Sequence, residues 1–600
     1  MGLTIRFGFA GRTRLTCGEG GSPARAGRHH RTASLTFASL PLLLFGIAPA
    51  NAQQTNQPGF DPRQTERRFD ALESGQRQPA RPGLRMPQLA RPAAAADTRP
   101  QFNLRDIVLT GAVAIPRAEL TRTYQRYLGK RVSQADLVAI AGAISDLYRA
   151  AGFHLSRAIV PPQDISDGRV RIQVIEGSIT EVALRGDAAE QFGIRPMLAA
   201  VLAECPSRLA TLERRLLLIN GRPGVHITDT AIEEISGTTG RFRLIVEVKT
   251  WHILTSFGID NLGSSSVGPW QTYAVAAFNS YLAPGDTLAL NLSTTPGDPR
   301  ELAFGRLSYD VPVGTDGFRI GASTLYSDVR PGDDRRLYND SIRTEAFEIR
   351  GSLVPLQSQR SALTLTAAAD FSEVSERNLF GPIYNDHIRS LSLTSDYRLQ
   401  DNLGGNNYFT LAYRQGLDIF GASRLGDELV SHDGAVANFS VLDFWFTRYQ
   451  TLSDAWSVKL AATGQIASGP LFTSQQFYLG GVNFGRGYGS AEISGDNGIA
   501  GSFELRFDQA LSYRYLSGYQ IYSFVDAGAA WNDGFSLNDG LSLTSAGGGI
   551  RFFMWDGLQA DIGVAFPLSY RAPDNEPRNA RLLFSLSNAL KLCPERGRCL

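Results

Sequence analysis

Hydrophobic and polar residues alternate with a period of two over most of residues 251–600. Leu363 and Leu365, for example, alternate with Thr364 and Thr366. Because successive side chains of a β-strand point to opposite faces, this period predicts half-buried strands. Sixteen strands are predicted, at 251–259, 271–279, 286–294, 302–310, 316–328, 343–355, 361–374, 386–398, 405–418, 436–449, 455–468, 498–508, 517–529, 541–553, 557–567 and 580–589.

The number and spacing of these strands favour a membrane barrel over a soluble β-sandwich, although the alternation alone fits both. In a sandwich the polar face meets water outside, whereas in an outer-membrane barrel the apolar face meets lipid and the polar face lines the lumen. An even strand number, with roughly 22 residues for each strand and its connection, is typical of bacterial barrels. We therefore predict a mainly β fold with a sixteen-stranded transmembrane β-barrel over residues 251–590.

Residues 102–250 carry a different pattern, in which helical periods lie between short strand-like segments. Leu137, Ile140 and Ile144, for example, fall on one face of a predicted helix. The order strand-helix-helix-strand-strand occurs over residues 102–177 and again over residues 178–250. This repeat predicts two copies of one small α/β module.

The first residues of the chain predict a secretory signal peptide over 1–52. Three arginines, at positions 25, 28 and 31, precede an apolar run at 35–47. The run is followed by Ala50-Asn-Ala52, which is the small-x-small pattern of a cleavage site. A signal peptide places the mature chain outside the cytoplasm.

Two further segments precede the first module. Residues 60–75, within the segment 53–75, predict a short helix that begins near Pro62 and ends at Gly75. Residues 76–101 contain five prolines and predict an extended linker. The two together predict a helix on a long tether, and a disordered tail fits their composition equally well.

The composition excludes several classes of function. Lys and Arg number 59 against 58 Asp and Glu, for a formal charge of +1, so no basic excess indicates nucleic acid. The longest apolar stretch, residues 38–50, is too short to cross a bilayer as a helix, which excludes a helical transporter. No H-E-x-x-H, C-x-x-C or phosphate-loop motif occurs. We predict no metal site, no cofactor and no enzymatic activity, the alternative being a Ser/His hydrolase that no motif nominates.

The cysteines are few and suit an oxidising compartment. Cys593 and Cys599 are close enough in sequence to form a local disulfide, and two free thiols are the alternative. Cys205 is then expected to be unpaired and buried as a small apolar residue.

The most informative segment is the glycine-rich stretch 480–498, which lies between two predicted strands and is too long for a plain turn. Glycines allow a loop to fold back on itself, and Arg486 would then be presented inside the barrel. A buried arginine requires a carboxylate partner, and Asp526 on the next predicted strand but one is the candidate. An exposed extracellular loop without a partner is the alternative.

Four segments, taken together, resemble the outer-membrane transporters of two-partner secretion, the TpsB group of the BamA-like barrel superfamily. The loop motif Gly485-Arg-Gly-Tyr488 is similar to the family's lumen-loop motif, with glycine in place of an aliphatic residue at 485, and Phe524-x-Asp526 resembles its barrel-wall motif. The residues 498–506 resemble the strand between them. The first module resembles the family's first POTRA module, through Tyr148-Arg149, Pro161-Pro-Gln163 and Val174-Ile-Glu-Gly177. A C-terminal extension, 591–600, departs from the family pattern.

This resemblance implies a pore that secretes a large TpsA-like exoprotein across the outer membrane of a Gram-negative bacterium. The two modules would be periplasmic POTRA modules, with Tyr148, Arg149 and Gln163 contributing to client docking, and the helix in 53–75 would plug the lumen at rest. Further expected partners are outer-membrane lipid and lipopolysaccharide, and the barrel-assembly machinery that inserts the protein. A barrel insertase of the same superfamily is the alternative function, and a passive porin is a third.

Overall fold

The computed structural model describes Thr65, Phe69, Met86 and residues 97–592, except 166, 187–188, 265, 533–540, 555–556 and 570–578. The predicted signal peptide, Cys593 and Cys599 lie outside the described residues, as does most of the segment 53–96.

The first module packs two helices on one face of a three-stranded sheet of order β2-β5-β4. Alternate residues of the central strand, Val170, Ile172 and Val174, are buried beneath the helices. The longer helix begins at a capping box, in which Ser133 and Asp136 satisfy each other's backbone N–H groups. The elements are β1 Phe102–Asn103, β2 Asp106–Thr110, α1 Arg117–Tyr124, a 3₁₀ turn Gln125–Tyr127, β3 Arg131–Val132, α2 Gln134–Ala150, β4 Arg157–Ile159 and β5 Arg169–Ile175.

The second module repeats this architecture and shares its core with the first. Leu155 of the first module is fully buried in the core of the second. Arg157 and Glu234 form an ion pair of 2.9 Å across the joint, which fixes the two modules to each other. The elements are β6 Ser178–Arg185, α3 Ile194–Met197, α4 Ala199–Leu202, α5 Leu209–Asn220, β7 Val225–Glu234 and β8 Arg241–Thr250, in a sheet of order β6-β8-β7.

Sixteen antiparallel strands then close into one barrel, which confirms the predicted fold class and strand number. The last strand pairs with the first over eight residues, from Ser585 with Asp260 to Leu592 with Ile253. The barrel strands are β9 Ile253–Asp260, β10 Gln271–Asn279, β11 Thr287–Thr294, β12 Leu302–Val313, β13 Phe318–Val329, β14 Ser341–Gln357, β15 Ser361–Asn378, β16 Gly381–Gln400, β17 Asn406–Gly416, β18 Ser440–Thr451, β19 Trp456–Ala467, β22 Asn497–Tyr513, β23 Leu516–Trp531, β24 Leu541–Met554, β25 Gln559–Pro567 and β26 Arg581–Leu592. Two short strands, β20 Phe477–Leu479 and β21 Ile493–Gly495, form a separate hairpin between β19 and β22.

The two faces of the barrel wall differ in the way that a membrane barrel requires. Large apolar side chains are exposed on the outside, among them Phe257, Leu292, Leu307, Phe347, Leu393, Leu411, Phe503, Ile521 and Ile562. The alternate positions face the lumen and include buried polar residues such as Ser293, Ser323, Thr344, Glu504 and Asp526. An apolar exterior around a polar interior is the reverse of a soluble sandwich, so that alternative is rejected.

The second module contacts the barrel through α5, at the barrel end closest to the modules. The Arg214 guanidinium donates to the Val354 carbonyl at 2.8 Å, and Arg215 donates to the Thr315 carbonyl at 2.8 Å. Arg215 also pairs with Asp316 at 2.9 Å. These contacts join α5 to the β12–β13 turn and to the end of β14.

The expectation that Cys205 is unpaired and buried is wrong. Its side chain is exposed in the connection between α4 and α5, and the residue is disulfide-bonded. An exposed thiol in an oxidising compartment favours a disulfide over the apolar burial that the sequence suggested. No helix in the described part of the chain is both long enough and apolar enough to span a membrane.

Candidate functional site in the barrel lumen

The glycine-rich stretch 480–498 folds into the barrel as the sequence predicted, rather than standing outside it. Its base is the β20–β21 hairpin, and its tip packs on the inner wall. Phe484 meets the Trp445 ring edge-on, with centroids 5.1 Å apart, and joins Leu479, Ile493 and Leu543 in a buried cluster. Apolar packing therefore holds the loop in the lumen, in addition to the polar contacts of Arg486.

Arg486 is buried at the loop tip, with 8% of its surface exposed, and binds Asp526 through two parallel hydrogen bonds. Its Nε donates to Asp526 Oδ2 at 2.9 Å, and its Nη2 donates to Oδ1 at 2.8 Å. The backbone N–H groups of Gly485 and Arg486 donate to the same carboxylate at 3.2 and 3.1 Å. The predicted charge pair is present, in the bidentate geometry that arginine and carboxylate favour.

Phe524 packs against the face of the Arg486 guanidinium group. Its ring lies 3.5 Å from the Arg486 guanidinium carbon, which is a cation–π contact within a desolvated site. Ser502 accepts from Arg486 Nη2 at 3.0 Å and donates to Asp526 Oδ1 at 2.7 Å. The guanidinium is thus held on its edge by acceptors and on its face by an aromatic ring.

Glu504 is the functional residue that the sequence analysis did not nominate. Its carboxylate is 1% exposed and accepts from Arg486 Nη1 at 2.6 Å. It also pairs with Arg506 at 2.7 Å and with Arg551 at 2.9 Å. Ser502, Glu504 and Arg506 occupy alternate positions of β22, so their shared lumen face was the available signal.

The other motif residues explain why the loop requires its particular sequence. Gly485 has a φ of 85°, and a Cβ there would lie 2.6 Å from the Leu543 side chain, so glycine suits this position better than the aliphatic residue of the family motif. A Cβ on Gly487 would lie 2.8 Å from the Pro567 nitrogen. Tyr488 is buried and its hydroxyl contacts the Thr544 and Ser569 carbonyl oxygens at 3.1 and 2.9 Å.

Comparison with known protein families decides the class. A family model described as haemolysin secretion/activation protein ShlB/FhaC/HecB matches residues 244–552, which is more than half of the chain. A second model, described as POTRA domain, ShlB-type, matches residues 102–177. The chain belongs to the ShlB/FhaC/HecB family. It is an outer-membrane transporter that secretes an exoprotein, with its POTRA modules in the periplasm.

Individual relatives agree with this assignment. The heme/hemopexin transporter protein HuxB of Haemophilus influenzae is 24% identical over 481 residues, covering 77% of this chain and 82% of HuxB. The outer-membrane transporter CdiB of Dickeya dadantii is 22% identical over 487 residues, covering 79% of this chain and 84% of CdiB. Among solved structures, CdiB from Escherichia coli matches with a TM-score of 0.72 at 20% identity, covering 90% of this chain and all of that chain. The last comparison shows that the fold is the same.

The first POTRA module places the three predicted docking residues in different environments. Arg149 is about half exposed and pairs with Asp146 at 2.5 Å. The Gln163 side-chain amide bonds both backbone groups of Arg171, at 2.6 and 2.7 Å, beyond the short edge strand β4. Tyr148 is fully buried and donates to Glu176 at 2.7 Å, and burial raises the pKa of its hydroxyl. Arg149 and Gln163 are accessible to a client, whereas Tyr148 supports the module from within.

Three residues of the N-terminal segment are described by the structure. Thr65 and Phe69 are helical and buried. Phe69 stacks on Phe304 with ring centroids 5.6 Å apart and meets Tyr273 edge-on at 6.2 Å. Met86, in the predicted linker, packs against the core of the second module. Within the described residues, no group of three or more His, Cys, Asp or Glu side chains is placed to hold a metal ion.

Proposed function

We propose that the transporter is closed at rest by two lumen elements, the Arg486 loop and the N-terminal helix, and that a client docked on the POTRA modules leaves through the lumen. The observation that carries the proposal is the clamp, the buried cluster in which Arg486 binds the carboxylates of Asp526 and Glu504. A loop held this firmly inside a wide barrel sets the resting shape of the channel. Export then requires the client to pass the loop or to displace it.

Client docking would use the exposed side of the first POTRA module. An extended polypeptide can add a strand to an unpaired sheet edge, with pockets and side chains beside the edge giving specificity. Gln163 lies at such an edge, where its amide substitutes for a strand partner of β5. Arg149, on α2 of the same module, would contribute a positive charge to the docking surface. Replacement of Gln163 by the client backbone would release the side chain without leaving the Arg171 groups unpaired.

The N-terminal helix would serve as a plug. At about 1.5 Å per residue, the predicted helix 60–75 is close in length to the membrane-spanning height of about 25 Å. The buried position of Phe69 on the inner wall supports this assignment. The Pro-rich linker 76–101 is long enough to let the helix leave the lumen while remaining attached.

The outside of the barrel would meet lipid and lipopolysaccharide along its apolar band, and the chain would reach the membrane through the barrel-assembly machinery. A barrel that admits a client strand sideways needs two of its neighbouring strands to part. Here the β26–β9 seam pairs eight residues, as many as the neighbouring β9–β10 pair. This continuous seam favours a route through the lumen over insertase function.

The test is deletion of the gene followed by comparison of the culture supernatant and of the outer-membrane protein profile. We expect one large exoprotein to disappear from the supernatant while other outer-membrane barrels assemble normally, and plasmid-borne wild-type chain to restore it. A general loss of outer-membrane barrels would instead establish the insertase. Unchanged supernatant and membrane profiles would contradict both functions.

A further inference from the structure

An aromatic slot lies in the lumen wall near the extracellular end of the barrel. Tyr273 and Phe304 belong to β10 and β12, and Ser293 of the intervening strand pairs with both. Strands two apart in a sheet are separated by about 9.6 Å, which is the space that one aromatic ring needs between two others. The small Ser293 leaves this space open, and the ring of Phe69 occupies it.

The barrel builds this slot without help from the helix. Gly258 on β9 gives the Tyr273 ring its room, since a Cβ at that position would lie 2.5 Å from the ring. The slot is lined further by apolar residues of the wall and of the β9–β10 connection, Val267, Leu302, Leu325, Val329 and Ile342. All of these belong to the barrel and remain when Phe69 leaves.

The departure of Phe69 would leave this apolar surface facing a water-filled channel. Apolar surface exposed to water favours association with another apolar group. The strand register places the polar residues Asn291, Arg306 and Ser327 beside the slot. A polypeptide moving through the lumen carries suitable groups, because any aromatic or large aliphatic side chain can take the place of the Phe69 ring.

We infer that the Tyr273–Phe304 slot is a transit site that binds, one at a time, the aromatic and large aliphatic side chains of the unfolded client during export. This inference rests on the proposed function. Tyr273 is the third residue of β10 and Phe304 the third of β12, both at the end away from the POTRA modules. A client held there has already crossed most of the membrane, so each binding event opposes its return to the periplasm.

The test compares variants of the full-length chain that remove a wall of the slot with one that removes only its resting occupant. Phe69→Ala removes the ring of the helix, whereas Phe304→Ala and Tyr273→Ala alter the slot. The readouts are channel conductance in planar bilayers and the export rate, by pulse-chase, of the exoprotein that the deletion strain fails to secrete. We expect all three variants to conduct more than wild type. Export should stay at or above the wild-type rate in Phe69→Ala and fall roughly 2- to 10-fold in the slot variants.

Controls separate loss of the slot from loss of the barrel. Phe347→Ala removes a lipid-facing phenylalanine, which is 43% exposed, and should leave export unchanged. Ser293→Phe keeps both aromatic walls and fills the slot permanently, so it should slow export to a similar extent, and Phe304→Leu should recover most of the rate. Heat-modifiable mobility reports whether each barrel has assembled.

Equal export by Phe69→Ala, Phe304→Ala and Ser293→Phe would overturn the inference and leave the slot as a seat for the helix alone. If instead no exoprotein depends on the transporter, the proposed function fails first, and that result is visible in the deletion strain before any slot variant is made.

Discussion

Replacement of Arg486 by alanine tests the central contact of the lumen. The change removes both side-chain hydrogen bonds to Asp526, the bonds to Glu504 and Ser502, and the cation–π contact with Phe524. Glu504 keeps two other cations, Arg506 and Arg551. Among the described residues, the fully buried Asp526 keeps Ser502 and two backbone N–H groups as its hydrogen-bond donors. The uncompensated charge therefore falls on Asp526.

The expected change in the population of the released loop follows from the charge that is left unpaired on Asp526. Removing one partner of a buried ion pair costs about 3–5 kcal/mol, because the remaining charge stays desolvated. A tenfold change in an equilibrium constant corresponds to about 1.4 kcal/mol. We therefore expect the released form of the loop to become about a hundred to a few thousand times more populated. Arg486→Lys should give an intermediate result, since an ammonium cannot form the paired bonds.

Hydrogen exchange measures this release directly. The amides of Gly485 and Tyr488 are bonded in the folded loop, and peptides covering residues 477–492 should exchange much faster in Arg486→Ala. Secretion of the exoprotein should fall strongly while the barrel still assembles. The matched control is Arg506→Ala, which removes a different Glu504 partner on the wall and should leave the loop protected.

A double-mutant cycle with Asp526→Ala adds a second criterion. Removing both charges should protect the loop better than removing Arg486 alone, because no buried carboxylate remains unpaired. Wild-type exchange and normal secretion from Arg486→Ala would refute the reasoning and remove the loop from the mechanism.

Three further predictions concern other parts of the chain. Deletion of residues 53–75 should raise single-channel conductance, and unchanged conductance would show that the helix is not a plug. Arg149→Ala should slow secretion without affecting barrel assembly, because its exposed ion pair with Asp146 contributes little stability; full secretion would argue against docking at this face. Burial lowers the pKa of His154 from 6.5 to about 4, so the neutral form is favoured in the folded first module. The stability that the buried, neutral His154 side chain contributes to the module is complete above pH 6.5 and is lost as the pH falls towards 4. Hydrogen exchange of β5 should therefore rise on acidification, and His154→Leu should weaken this rise. An unchanged dependence of β5 exchange on pH in the variant would contradict the prediction.

The strands could be predicted from the sequence because each barrel position has one of two environments, lipid or lumen, and the residues alternate accordingly. The predicted strand bounds were least complete at the strand ends that lie beyond the lipid. The strand predicted at 386–398 extends over Gly381–Gln400, and its outward residue His387 pairs with Glu373 of β15. Beyond the lipid the outward face becomes polar, so the alternation that marks a strand disappears while its backbone pairing continues.

The clamp could be predicted in part. The pairing of Arg486 with Asp526 followed from a glycine-rich loop and a carboxylate on a nearby strand, and both are visible in sequence. Glu504 could not be distinguished from other luminal charges, because Arg486 of the loop and Arg551 of β24 come together with it only in the folded barrel. Cys205 was misjudged for a related reason, since the number of cysteines does not show which of them are exposed.

The two lumen elements are held by different kinds of contact, and this difference bears on how the channel opens. The loop is fixed to β22 and β23 by buried charges, whereas Phe69 is seated on β10 and β12 by aromatic contact. A passing apolar side chain can replace the second contact, but only another charge can replace the first without leaving a buried charge unpaired. The helix should therefore leave before the loop moves. A variant lacking only the helix should conduct ions while the loop remains protected from hydrogen exchange, and simultaneous release of both would show that the elements are coupled.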